Sequence, residues 1–111
     1  MMSAKLLEVD KDNFEQEVLN AEGVVMVDWW GPKCEKCLEL MPYVEELAEK
    51  YQGKMKFCSC NTQGNRRLAI SQKVLGLPAM LFYKNGEKVD ELSGQDITPE
   101  DIEEKIKKYV E

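Results

Sequence analysis

The stretch Val27–Pro42, "VDWWGPKCEKCLELMP", joins two different hydrophobic rhythms across a pair of cysteines. Upstream, "VVMVDWW" (24–30) is a nearly continuous run of β-branched and aromatic residues, the pattern of a strand covered on both faces of a sheet, and Asp28 is its single interruption. Downstream, Cys37, Leu40, Met41, Val44, Leu47, Ala48 and Tyr51 recur at intervals of three and four. That spacing predicts a long helix from Cys34 to Tyr51, closed at Gly53 and kinked by the internal Pro42. "CEKC" therefore lies where a strand hands over to a helix. Two cysteines two residues apart serve as a structural bridge, as half of a metal site or as a dithiol that cycles between redox states, and the rest of the chain has to discriminate.

Working outward, "KLLEV" (5–9) reads as a short strand. In "DKDNFEQEVLNAEG" (10–23) Asp12 is placed to cap a helix with Glu15 three residues on, and the helix is expected to end at Gly23. "MKFCSCN" (55–61) alternates as a third strand, and "RRLAISQKVLG" (66–76) reads as a short helix ending at Gly76. Asn85-Gly86 between two strand-like runs is a strong hairpin signal. Thr98 and Pro99 open a last helix with Ile102, Ile106 and Val110 on one face. The order βαβαβαββα predicts an α/β fold with a mixed central sheet and helices on both faces, as one domain over residues 1–111. Its βα junctions present their loops at the carboxyl end of the sheet.

Composition narrows the function classes. Hydrophobic residues at 43% and charged residues at 32% describe a globular chain, and a net charge of −6 without a Lys/Arg run argues against nucleic acid. The opening "MMSAKLLEVD" has no basic region leading into an apolar stretch, and no apolar run approaches ~20 residues, so a cytoplasmic protein without a membrane segment is expected. In a reducing cytosol four cysteines point to redox chemistry or metal rather than to two structural bridges. Histidine is absent, which removes the commonest metal ligand and the commonest general base.

At the first turn of a helix, Cys34 sees free backbone N–H groups and the positive end of the helix dipole, both of which favour the thiolate. It is the candidate nucleophile. Cys37, one turn deeper and shielded by the strand, is the candidate resolving thiol. A buried Asp28 has its pKa raised and can exchange a proton with that thiol, whereas a carboxylate in a polar pocket would only form hydrogen bonds. Pro78, ahead of a strand, needs no ladder N–H; a cis bond there would offer a backbone edge to an extended substrate, although trans is the commoner isomer. Cys58 and Cys60 point to one face of a strand and read as core packing rather than as a second redox pair or a four-thiolate site. Met26, Met41, Met55 and Met80 read as core filler, Trp29 has no assigned role, and "EDIEEKIKKYVE" reads as a solvated face with Glu to Lys pairs along the helix.

"VDWW" followed by CxxC, a proline five residues after the second cysteine, "GLPA" before a strand and "FYKNGE" in a hairpin resemble the thioredoxin family over essentially the whole chain. The resemblance implies the thioredoxin fold and a thiol-disulfide oxidoreductase without a cofactor of its own, recycled by thioredoxin reductase and acting on disulfide-containing proteins. It implies Cys34 and Cys37 as the exposed and buried cysteines, Asp28 as the buried acid, Trp30 beside the site, Pro42 as the helix kink and Pro78 as the cis-proline. Substrates would dock around Trp30, Pro32, Lys33, Leu77, Pro78 and Gly94. "NTQGNRRLAISQKVLGLPA" (61–79) further resembles the thioredoxins that accompany glycine, sarcosine and betaine reductase systems, which implies a dedicated electron donor as a second reading. Glu35-Lys36 replaces the usual Gly-Pro, Lys33 the usual aromatic residue, and Ser59 a buried lysine that would pair with the acid. A metal-binding module and a non-catalytic scaffold are the rivals from other classes; they predict bound zinc or iron and indifference to Cys34→Ser, respectively.

Overall fold

The computed structural model describes residues 6–111 and contains one five-stranded mixed sheet in the order β1-β3-β2-β4-β5. Its strands are β1 (Leu6–Glu8), β2 (Val24–Trp30), β3 (Lys56–Asn61), β4 (Ala79–Lys84) and β5 (Glu87–Ser93). β1, β3 and β2 run parallel, while β4 and β5 are antiparallel additions. Lys5, assigned above to the first strand, lies outside the described residues.

Period-two alternation splits the core between the two faces of the sheet. Met26, Phe57, Met80 and Phe82 meet Leu40, Val44 and Leu47 of helix α1 (Glu35–Lys50) and Ile102 and Ile106 of helix α3 (Pro99–Val110). Val25, Val27, Trp29, Cys58, Cys60, Leu81 and Tyr83 meet Phe14, Val18 and Ala69 on the other face, which is covered by a short π-helical turn (Glu15–Leu19) and by helix α2 (Arg66–Ser71). Helices thus cover both faces, as the strand composition requires. Trp29 is fully buried against the Phe14 ring at 5.6 Å between centroids. Met26 and Met80 are fully buried, and Met41 and Met55 pack partly buried against the same cluster. Among the described residues no helix is long and apolar enough to cross a membrane.

Three local expectations need correction. The first helical segment is capped by Asp10, not Asp12: Asp10 Oδ1 accepts the N–H groups of Asp12 and Asn13, and Asn13 Oδ1 accepts that of Asp10 at 2.7 Å. The reciprocal pair begins two residues earlier than a Glu-based box would. The regular helix also stops at Leu19, where Asn20 N–H reaches back five residues to Glu15 O.

Helix α2 ends at Ser71, well short of Gly76. Lys73 adopts φ 62°, its N–H bonds Ile70 O, and Val74 N–H bonds Ala69 O. This is a Schellman closure with lysine at the position glycine favours, and buried Val74 against Ala69 supplies its apolar contact.

The charges of α3 pair with neighbouring elements rather than along the helix. Lys105 and Lys108 both reach Asp90 on β5, and Glu103 accepts from Lys50 and Tyr51 at the end of α1. Thr98 and Asp101 form the expected N-terminal box, with Pro99 behind the cap. At the hairpin, Asn85 and Gly86 both take positive φ, as a two-residue type I′ turn demands.

Candidate functional site

Parallel pairing of β2 with β3 brings the loop after Trp30 to the carboxyl end of the sheet, and two bonds hold it there. Thr62 donates its backbone N–H at 2.8 Å and its hydroxyl at 3.1 Å to Trp30 O. Gly31 follows, and a Cβ there would lie 3.3 Å from both Leu77 Cδ1 and Thr62 Oγ1. The glycine lets the loop lie flat against its neighbours before turning into α1 through Cys34 N–H to Gly31 O. Thr62 escaped the sequence reading. Its only signal is that it follows β3 by one residue, which has meaning once Asn61 is known to pair with Trp30.

Cys34 is the N-cap of α1, and its Sγ accepts the Cys37 N–H at 3.1 Å. Sulfur therefore occupies the place where a capping oxygen satisfies a free first-turn N–H, and a thiolate there gains from the same donor and from the helix dipole. Cys34 and Cys37 form a disulfide with their Cα atoms 5.2 Å apart. Cys34 is half-buried and Cys37 is 2% exposed. An incoming thiol or disulfide meets Cys34 first.

Asp28 is fully buried on the sheet face that α1 covers, two residues beyond Met26 toward the dithiol. Its neighbours across the strands are Ser59 on β3 and Met80 on β4. A methionine on one side and a short hydroxyl on the other provide no cation, and burial pushes the Asp28 carboxyl from its ordinary 3.8 up to about 7. Asp28 Oδ1 has no hydrogen-bond partner among the described residues. Ser59 takes the position the resemblance gave to a lysine, so desolvation acts on Asp28 uncompensated.

The Leu77–Pro78 peptide bond is cis. Pro78 is buried, its carbonyl accepts from Gly94 N–H at 3.1 Å, and the Leu77 carbonyl accepts from the Gln95 side chain at 2.8 Å. Gly94, with φ 109°, thereby ties the end of β5 to the cis-proline turn. Gln95 was not foreseen; only a folded chain places it over Leu77. Pro32 and Lys33 are exposed beside Cys34, and Trp30 is half-buried. Of the charges around the motif, Lys36 is engaged by Glu39 at 3.2 Å, whereas Lys33 and Glu35 have no ion-pair partner among the described residues.

Cys58 and Cys60 are buried free thiols on the opposite face of the sheet from α1 and its dithiol. Among the described residues no three metal-ligating side chains come together, these four sulfurs included. Burial pushes both thiols up to about 12, which leaves them protonated and inert at neutral pH.

A half-exposed sulfur capping a helix and bonded to a buried cysteine one turn on fits a redox dithiol. Comparison with known proteins agrees: the thioredoxin family model matches residues 5–108. The chain belongs to the thioredoxin family. It is 55% identical to a thioredoxin of Peptoclostridium acidaminophilum over 109 residues, covering 98% of this chain and 99% of that one. It is 46% identical to a thioredoxin of Acetoanaerobium sticklandii over 105 residues, covering 95% of this chain and all of the relative. Thioredoxin 1 of a Nostoc species is 37% identical over 87 residues, 78% of this chain and 81% of that one. Thioredoxins are thiol-disulfide oxidoreductases, and the Cys34–Cys37 disulfide is the corresponding redox centre of this chain.

Proposed function

We propose that the chain works as a single thioredoxin domain that reduces protein disulfides, with Cys34 as nucleophile, Cys37 as resolving thiol and Asp28 as its proton acceptor. The observation that carries these roles is the asymmetry of the disulfide: Cys34 is half-exposed at a helix N-terminus and Cys37 is buried one turn deeper. In the reduced protein, the Cys34 thiolate attacks one sulfur of the substrate disulfide. A mixed disulfide forms, and the other substrate sulfur leaves as a thiolate that takes a proton from solvent. Cys37 passes its proton to Asp28 and attacks Cys34 Sγ, which restores the Cys34–Cys37 bond and releases the second substrate thiolate. Two electrons have moved from protein to substrate. With a pKa near neutrality, Asp28 can accept the proton in one turnover and return it in the next.

Trp30, Pro32, Lys33, Leu77 and Gly94 would form the surface on which a substrate segment lies beside Cys34, with Pro78 buried in the turn next to Leu77. Thioredoxin reductase, using NADPH through its own flavin, would return the dithiol to the reduced state in the cytoplasm. The Asn61–Ala79 stretch also supports a narrower reading in which the favoured acceptor is a component of a glycine, sarcosine or betaine reductase. Poor turnover with generic disulfides would mark that dedicated role.

The test uses reduced protein and a small disulfide-linked protein substrate. Cys34→Ser should abolish reduction. Cys37→Ser should accumulate a mixed disulfide visible as a mass increase equal to the substrate, cleared by dithiothreitol. Reduction that survives Cys34→Ser would refute the assignment.

A further inference from the structure

From Cys34 a groove of about 770 Å³ runs away from the dithiol along α2, between the Gly31–Cys34 loop and the loop over 75–77. That volume lies within the range of clefts that hold specific ligands. Two features set its walls apart from the rest of the molecule. Ile70 and Leu75 stand 59% and 90% exposed along it, and Leu75 is held out by the Schellman turn that ends α2 at Lys73. Its only charged lining residues are Lys33 and Arg66, although acids outnumber bases 21 to 15 in the chain. Neither cation has an ion-pair partner among the described residues, whereas the hollow on the far side of Leu75 includes Glu91 in its wall.

We propose that this groove selects the disulfide partner, by holding the substrate segment next to the attacked cysteine when that segment carries an apolar side chain together with a carboxylate. The apolar side chain would cover Ile70 and Leu75, and the carboxylate would face Arg66 and Lys33. This rests on the thioredoxin reading, because the groove has Cys34 in its wall and a segment lying in it is delivered to that sulfur. A basic segment would meet two unneutralised cations there, so discrimination is by repulsion as well as attraction.

The experiment measures second-order rates between reduced protein and disulfide-linked peptides that differ only beside the cysteine: Leu with Glu, Leu with Lys, and Gly with Glu. Each rate is divided by that of the same peptide with dithiothreitol, which removes differences in intrinsic disulfide reactivity. The wild type should prefer Glu over Lys about fivefold at low salt, as partly exposed ion pairs allow, with the ratio falling toward one at ~0.5 M NaCl. Arg66→Gln leaves Lys33 and should reduce that ratio to about twofold, and Arg66→Glu, which balances Lys33, should bring it near one. The Leu peptide should exceed the Gly peptide about tenfold, and Leu75→Ser should remove most of that advantage. Normalised ratios within twofold of one in the wild type, or ratios that ignore both substitutions, would overturn the groove proposal while leaving the thioredoxin function intact. A wild type that reduces none of the peptides would instead overturn the function itself, and the groove proposal with it.

Discussion

Replacing Asp28 by Asn should change the pH dependence of stability more than its value at any one pH. Burial raises the Asp28 carboxyl from 3.8 to about 7, so between those limits the unfolded chain is ionised at this residue while the native protein holds a proton. Below pH ~4 both states are protonated and the residue carries no electrostatic penalty. As pH rises through the unfolded value, native stability falls by about 1.4 kcal/mol per unit, and the loss levels off above pH ~7. Integrated over the whole shift the penalty approaches ~4 kcal/mol; between pH 5 and pH 8 it grows by about 2.5 kcal/mol.

The oxidised protein suits this measurement. The chain has no histidine, Cys34 and Cys37 are tied in the disulfide, and Cys58 and Cys60 sit at about 12. Asp28 is then the side chain whose shifted carboxyl titrates inside the window. Urea unfolding of wild type and D28N at pH 5, 6, 7 and 8 gives the difference in free energy at each pH. The amide contributes a constant offset, so the informative quantity is the slope. D28N should gain about 2.5 kcal/mol on the wild type from pH 5 to pH 8, with most of the gain complete by pH 7. A difference that stays flat within ~0.5 kcal/mol would show that Asp28 ionises normally in the native state, and would remove it as a proton acceptor for Cys37.

Three further outcomes follow from particular contacts. With the dithiol reduced, iodoacetamide at pH 8 should label Cys34 in the native protein and reach Cys58 and Cys60 after urea is added, as mass mapping would show; native labelling of either strand cysteine would contradict their burial. Asp90 accepts from Lys105, Lys108 and Tyr109, so Asp90→Ala should lose about 2 kcal/mol in urea unfolding at pH 7. Burial opposes ionisation of Asp90, but these donors outweigh it and hold the carboxyl below the usual range, so the wild type should lose this advantage as pH falls below ~4. Lys73→Gly should raise stability by about 0.5 to 1 kcal/mol in the same assay, because φ 62° strains lysine and not glycine; no gain would mean that Lys73 makes a compensating contact.

Wherever a single segment carried its own signal, the chain could be read before it was folded. The unbroken Val24–Trp30 run required cover on both faces, and the structure supplies α1 and α3 on one side and α2 with the π-helical turn on the other. Asn85-Gly86 and Thr98-Pro99 fixed a hairpin and a helix start because each demands one backbone geometry. The misreadings occur where two local solutions compete. Asp10 and Asp12 both stand near the start of the first helical segment, and Asp10 caps because Asn13 can return its bond. Lys73 and Gly76 both follow α2; glycine's preference lost because closing at Lys73 buries Val74 against the sheet.

The site divides along the same line. CxxC at a strand-to-helix junction announces its chemistry because a helix N-terminus activates any sulfur placed there. What tunes that chemistry depends on register: Ser59 and Met80 flank Asp28 across two strands, Thr62 anchors Trp30 O, and Gln95 covers Leu77 O. None of these has a spacing that could be read along one segment. The Asp28 pKa shows the consequence. An aspartate inside an apolar run already implied desolvation, but whether a cation offsets it depended on which residue of β3 lies opposite, and a serine there leaves the full effect of burial in place.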